Sequence, residues 1–153
     1  PIMFGWAKPV PYNPFNLRNQ RFGEALVAVA GSATNILLAV IFGLIVRFGS
    51  TPLATGGTLL DATALSLAAT IAFINLFLGL FNLIPFPPLD GFTVLRSVLP
   101  WHLSSGLSRF EHSIRNAGAL SLILFLLIFS YIFAGPFFNL VLWLFGLITG
   151  SSI

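Results

Sequence analysis

The stretch "ATALSLAATIAFINLFLGLFNLIPFPPLDG", residues 62–91, carries no charge until Asp90. Its first part, Ala62 to about Ile84, would reach about 35 Å as a helix, enough to cross a hydrocarbon core of roughly 30 Å. A second charge-free run lies upstream, from Ala25 to Val46, and ends at Arg47. It would reach about 33 Å. Its first half, "ALVAVAGSATN", is rich in small residues, which let neighbouring helices approach closely.

Composition says the same of the whole chain. Of 153 residues, 57% are hydrophobic and 7% charged, and mean hydropathy is +0.98. A soluble domain carries about 25% charged residues, so these polar groups cannot cover a water-facing surface. Lipid is the matching solvent, and there each backbone amide must be satisfied internally. The expected class is an all-α, polytopic membrane protein with three to four transmembrane or re-entrant helices, residues 1–153 forming a single membrane-embedded domain.

The remaining elements follow from the two runs. Residues 1–23 hold prolines at 1, 9, 11 and 14, with Trp6 and Tyr12 beside Lys8, Arg18 and Arg21; this reads as an interfacial segment. Residues 92–116 read as a surface-lying amphipathic segment broken at Pro100. Residues 117–134 read as a third span. After Gly135-Pro136, residues 137–150 form a short apolar element that is re-entrant, tilted or truncated.

Six of the seven basic residues lie before the first run or after the second, and Arg47 alone lies between them. That asymmetry places the basic side, and with it Asp90, at the cytoplasmic face of the cell membrane. No Lys/Arg run is interleaved with aromatics, so a nucleic-acid partner is not expected. The chain has no cysteine, which excludes thiolate metal ligands and thiol catalysis.

Few residues here could carry chemistry. Asp90 follows Pro-Pro-Leu and precedes Gly91, and two readings stand. Aspartate and glycine are turn-formers, yet carboxylates near membrane depth are costly and usually serve ions, protons or metals. Asn75 and Asn82 are seven residues apart and share a helix face. Interhelical hydrogen bonding is the plainer reading of Asn75, and of Asn35 across the interface. His102 and His112 are ten residues apart, without the close spacing of helical metal ligands, and read as interfacial. Glu111 is placed to pair with Arg115, while Glu24 and Asp61 suit helix N-termini. Neither a nucleophile elbow nor a glycine-rich phosphate loop is present.

The segment "NLFLGLFNLIPFPPLDG", residues 75–91, resembles the site-2 protease family of intramembrane zinc metalloproteases. Asn82, Pro85, Pro88, Leu89, Asp90 and Gly91 match its N-x-x-P-x-x-P-L-D-G signature. Residues 4–31 resemble the loop and following helix of its short bacterial and archaeal members. "AGSATN", residues 30–35, is similar to its A-G-P-x-x-N, with Ser32 at the usual proline. The likeness covers about the first two-thirds of the chain; residues 92–153 agree only in character.

The resemblance implies a Zn2+-dependent endopeptidase acting on a membrane-embedded protein substrate. It implies that Asp90 is the third zinc ligand, beside two histidines of an H-E-x-x-H helix whose glutamate is the general base. Asn82 is implied to lie at the site, holding a substrate carbonyl or the developing oxyanion. No H-E-x-x-H occurs in residues 1–153, and the family's order places that helix upstream of Pro1. The chain, which starts without methionine, is therefore expected to be part of a longer protein and inactive alone. Two other readings are a non-proteolytic homologue serving as a membrane scaffold and a small transporter or channel subunit. Oligomeric state is left open by the sequence.

Overall fold

The structure is a computed structural model that describes residues 20–51 and 58–151, without the side chains of Gln20, Arg21, Trp101 and Arg115. The interfacial segment expected around Trp6, Lys8, Tyr12 and Arg18 lies outside the described residues. Among the described residues there are six helices: α1 Gln20–Gly49, α2 Ala62–Asn82, α3 Asp90–Val98, α4 Trp101–Asn116, α5 Ala119–Ile132 and α6 Ala134–Thr149.

The first two form an antiparallel hairpin from the two charge-free runs. Asp61 caps α2, its Oδ1 accepting the Ala64 amide at 2.6 Å. The Leu60 amide donates to the Gly49 carbonyl at 3.1 Å, so the two helix ends meet across the connection. On α2, Ala68, Ala72, Leu76 and Gly79 are buried at helical spacing, with Leu76 packed with Ala39 and Gly79 against Ser32 of α1. The close approach expected of small residues is present. A Cβ on Gly79 would lie 2.8 Å from Ile36 Cγ1 and 3.1 Å from the Ser32 carbonyl oxygen. Gly79→Val should therefore destabilise the hairpin by about 2 kcal/mol, the scale of overpacking a tight contact, as read by unfolding in mixed detergent micelles.

Helix α6 lies against this hairpin. Val141 joins Ala39 and Leu76 in a core ringed by Phe73, Phe77, Phe137 and Phe145, and the rings meet edge-on at 5.4–5.7 Å. Arg47 closes the far end: its Nη1 donates to the Leu147 carbonyl at 3.1 Å, placing a cation on carbonyls that a helix end leaves unpaired.

Four details differ from the sequence reading. Residues 117–134 do not form one long span: α5 has 14 residues, about 21 Å, and turns directly into α6 at Phe133. Gly135 and Pro136 lie inside the first turn of α6, where a missing amide costs nothing. Asn75 donates to the Ile71 carbonyl of its own helix at 2.8 Å, not across an interface. Glu24 is not at the start of its helix but in its second turn, facing an arginine described below. Asn35 packs its Cβ at Gly79, and its amide makes no hydrogen bond to another described residue.

Two helices, Phe22–Gly49 and Ala62–Asn82, are long and apolar enough to cross a membrane; α4 and α5 would add a third if their pair, bent by 106°, counts as one. Leu37, Leu67, Leu120, Leu127 and Trp143 all expose more than half their surface, an arrangement suited to lipid and not to water. The protein is an all-α, polytopic membrane protein.

Candidate metal centre

The signature residues sit where α2 stops and α3 begins. Asn82 is the last residue of α2 and Asp90 the first of α3. Residues 83–89 between them contain three prolines and four residues with an amide hydrogen. All four amides are paired: Leu83 to the Leu80 carbonyl, Ile84 to Phe81, Phe86 to Ile84 and Leu89 to Phe86, at 2.8–3.2 Å. Irregular backbone in an apolar setting needs its donors satisfied. The other three positions are prolines, which carry no donor to satisfy. The carbonyls of Pro85, Pro87 and Pro88 accept no backbone hydrogen bond among the described residues, and the exposure of Pro85 and Pro88 leaves their carbonyls as acceptors for water.

The loop closes on itself. A Cβ on Gly91 would collide with the Leu83 carbonyl and lie 2.7 Å from the Ile84 carbonyl oxygen. Only a residue without a side chain permits this contact, so Gly91 is required for space. Because Leu83 and Gly91 touch, Asn82 and Asp90 each lie one residue from the point of closure. Pro87 is fully buried, and the Pro87-Pro88 bond is cis. Phe86 stacks on Phe125 of α5 at 4.0 Å and meets Phe110 of α4 edge-on at 6.3 Å, tying the loop to both helices.

The Asp90 carboxylate is turned toward α1. Its Oδ2 lies 3.6 Å from the position of a Cβ on Gly31. It makes no hydrogen bond or ion pair with another described residue. Burial raises its carboxyl above the ordinary value of 3.8, because a partly dehydrated carboxylate disfavours its charged form. Beside Gly31, Ser32 is fully buried and its hydroxyl has no partner among the described residues. Asp90 does not end α2, which stops eight residues earlier, but opens α3.

The other acids and histidines do not converge on Asp90. His102 and His112 are exposed on α4, and no group of three His, Cys, Asp or Glu side chains able to hold a metal occurs among the described residues. A zinc site needs three protein ligands. The donor set therefore fits a divalent cation in part: one anionic oxygen that no described basic side chain pairs with, the remaining ligands having to come from elsewhere. Glu111 meets Arg96 at 2.9 Å; Arg115, its expected partner, lies outside the described side chains. The same Arg96 meets Glu24 at 2.8 Å. Sequence reasoning missed this junction, since Glu24 and Arg96 are 72 residues apart.

An all-α membrane protein whose signature loop presents a lone carboxylate defines a narrow class. The sequence pattern of Peptidase family M50, the site-2 protease family, matches residues 49–128. The chain belongs to that family. The match extends beyond Gly91 through α3 and α4 into α5, where the sequence alone offered only similarity of character. A Bacillus subtilis (strain 168) protein named "Putative zinc metalloprotease YwhC" is 33% identical over 144 residues, covering 92% of this chain and 59% of that protein. A Mycobacterium tuberculosis protein of the same description, Rip3, is 38% identical over 73 residues, covering 48% of this chain and 17% of its own length. The chain thus spans less than two-thirds of the curated relatives it matches. No solved structure matches it.

Proposed function

We propose that this chain supplies the aspartate half of the zinc site of an intramembrane endopeptidase, Asp90 being the carboxylate ligand and Asn82 a catalytic residue. The observation that carries the reading is the Asp90 carboxylate, partly dehydrated against Gly31 and paired with no described basic side chain. Membership of a peptidase family and relatives named as zinc metalloproteases support it. Residues 1–153 act as one membrane-embedded peptidase unit. The two histidines and the general base come from outside these residues, so this segment alone is inactive.

A bound zinc would polarise the scissile carbonyl and lower the pKa of a water molecule toward 7. The chain's own residues do the rest. Asp90 contributes an anionic oxygen and offsets part of the cation's charge. Asn82, at the end of α2, offers an amide donor to the substrate carbonyl, whose oxygen gains charge during hydrolysis. The open carbonyls of Pro85 and Pro88 give water a polar foothold beside an apolar loop. The substrate is a membrane-embedded protein segment, and the distribution of basic residues puts Asp90 near the cytoplasmic side of the cell membrane.

The test is cleavage of a membrane-spanning substrate by the full-length protein in liposomes. Activity should disappear with chelator and return with zinc. Asn82→Ala should lower kcat by about 100-fold, the scale of losing one oxyanion donor, with zinc content unchanged. Chelator-resistant cleavage, or an unchanged kcat in Asn82→Ala, would refute these assignments.

A further inference from the structure

Helix α3 has nine residues, too few to hold its place by helix formation alone. Two approaches to α1 mark its register. At its start, Asp90 faces Gly31. Near its end, Arg96 reaches Glu24 of α1 through Nη2 at 2.8 Å and Glu111 of α4 through Nη1 at 2.9 Å. The two contacts on α1 are seven residues apart, about 10.5 Å of rise, and those on α3 six residues, about 9 Å. The helices run antiparallel in a register that satisfies both contacts together. Arginine suits this role because its planar fork engages two acids at fixed angles, which an ammonium does not.

We propose that Arg96 is a positioning residue: by joining Glu24 and Glu111 it sets the register of α3 on α1, and so holds the Asp90 carboxylate at Gly31. The metal consequence rests on the zinc reading above, whereas the register does not. Arg96 touches neither substrate nor metal in this account. It acts through Asp90, 6 positions back along the same short helix.

The experiment uses the full-length protein with Co2+ as the metal probe, and compares wild type with Arg96→Ala, Glu24→Gln, their double variant and Asp90→Asn. Two readouts are taken: amide exchange across α3 in the metal-free protein, and the visible Co2+ spectrum with its metal-release rate. In Arg96→Ala, α3 amides should exchange about tenfold faster while those of α2 keep their wild-type rates, and Co2+ should leave about tenfold faster, as on losing a ligand-orienting partner. The Co2+ spectrum should shift toward that of Asp90→Asn. Glu24→Gln should move both readouts the same way, and the double variant should be no worse than Arg96→Ala, since both changes break one junction. If Arg96→Ala does not fold, the milder Glu24→Gln carries the test. Wild-type exchange in α3 of the variants overturns the proposal. So does a wild-type Co2+ spectrum in Arg96→Ala when Asp90→Asn has altered it. A wild-type spectrum in Asp90→Asn itself refutes the ligand reading and leaves the register claim to the exchange rates.

Discussion

Asp90→Asn in the full-length protein should reduce cleavage to background while leaving the fold intact. The two halves of this expectation have separate causes. An amide oxygen is a neutral and weaker ligand for a divalent cation than a carboxylate, so losing it should weaken zinc by more than about 100-fold, beyond the usual effect of an outer-shell change. The fold should not suffer, because Asp90 makes no hydrogen bond or ion pair with another described residue. Burial raises its carboxyl above 3.8. A raised acid favours the folded state below that ordinary value, and the contribution is lost as pH rises through the raised value. Once ionised, then, the carboxylate adds nothing to the metal-free fold. Activity lost with the unfolding midpoint retained is the signature expected; a fall in both would make Asp90 a structural turn residue.

Gly91→Ala should do the opposite, lowering activity by breaking the loop. The added methyl would meet the Leu83 carbonyl and the Ile84 carbonyl oxygen. These are backbone atoms, and Leu83 and Ile84 are already tied through their amides to Leu80 and Phe81. No flexible side chain can move aside, so the loop must open and α3 must shift. The cost should be about 3 kcal/mol, at the upper end of overpacking, seen as a lowered unfolding midpoint. Asp90 shifts with α3, so zinc retention should fall as well. An unfolding midpoint equal to wild type would show that the loop does not close as described.

Much of this architecture is legible in residue order alone. Two charge-free runs bounded by Glu24, Arg47 and Asp61 mark α1 and α2, because lipid tolerates few charges. Pro100 marks the break between α3 and α4, since its ring ends one helix and its carbonyl starts the next, accepting the amides of Leu103 and Ser104. The boundary between α5 and α6 is legible only roughly: Gly135-Pro136 announces it, but the turn falls earlier, at Phe133, because proline is accepted inside the first turn of α6. For the candidate site, the motif marks Asn82 and Asp90, but not the surface the carboxylate faces. Gly31 lies 59 positions from Asp90 and carries no side chain to advertise a contact. The Arg96 junction is hidden for a similar reason: a lone arginine on a polar helix face reads as solvated until the folded chain brings Glu24 to it.

The central claim is that Asp90 is a zinc ligand, and metal content tests it most directly. Wild-type and Asp90→Asn full-length proteins, purified alike and dialysed against a mild chelator, would be assayed for zinc by elemental mass spectrometry. The account predicts about one zinc per chain in the wild type, as a three-ligand site holds, and almost none in a variant that remains folded. Equal zinc in the two proteins would contradict it.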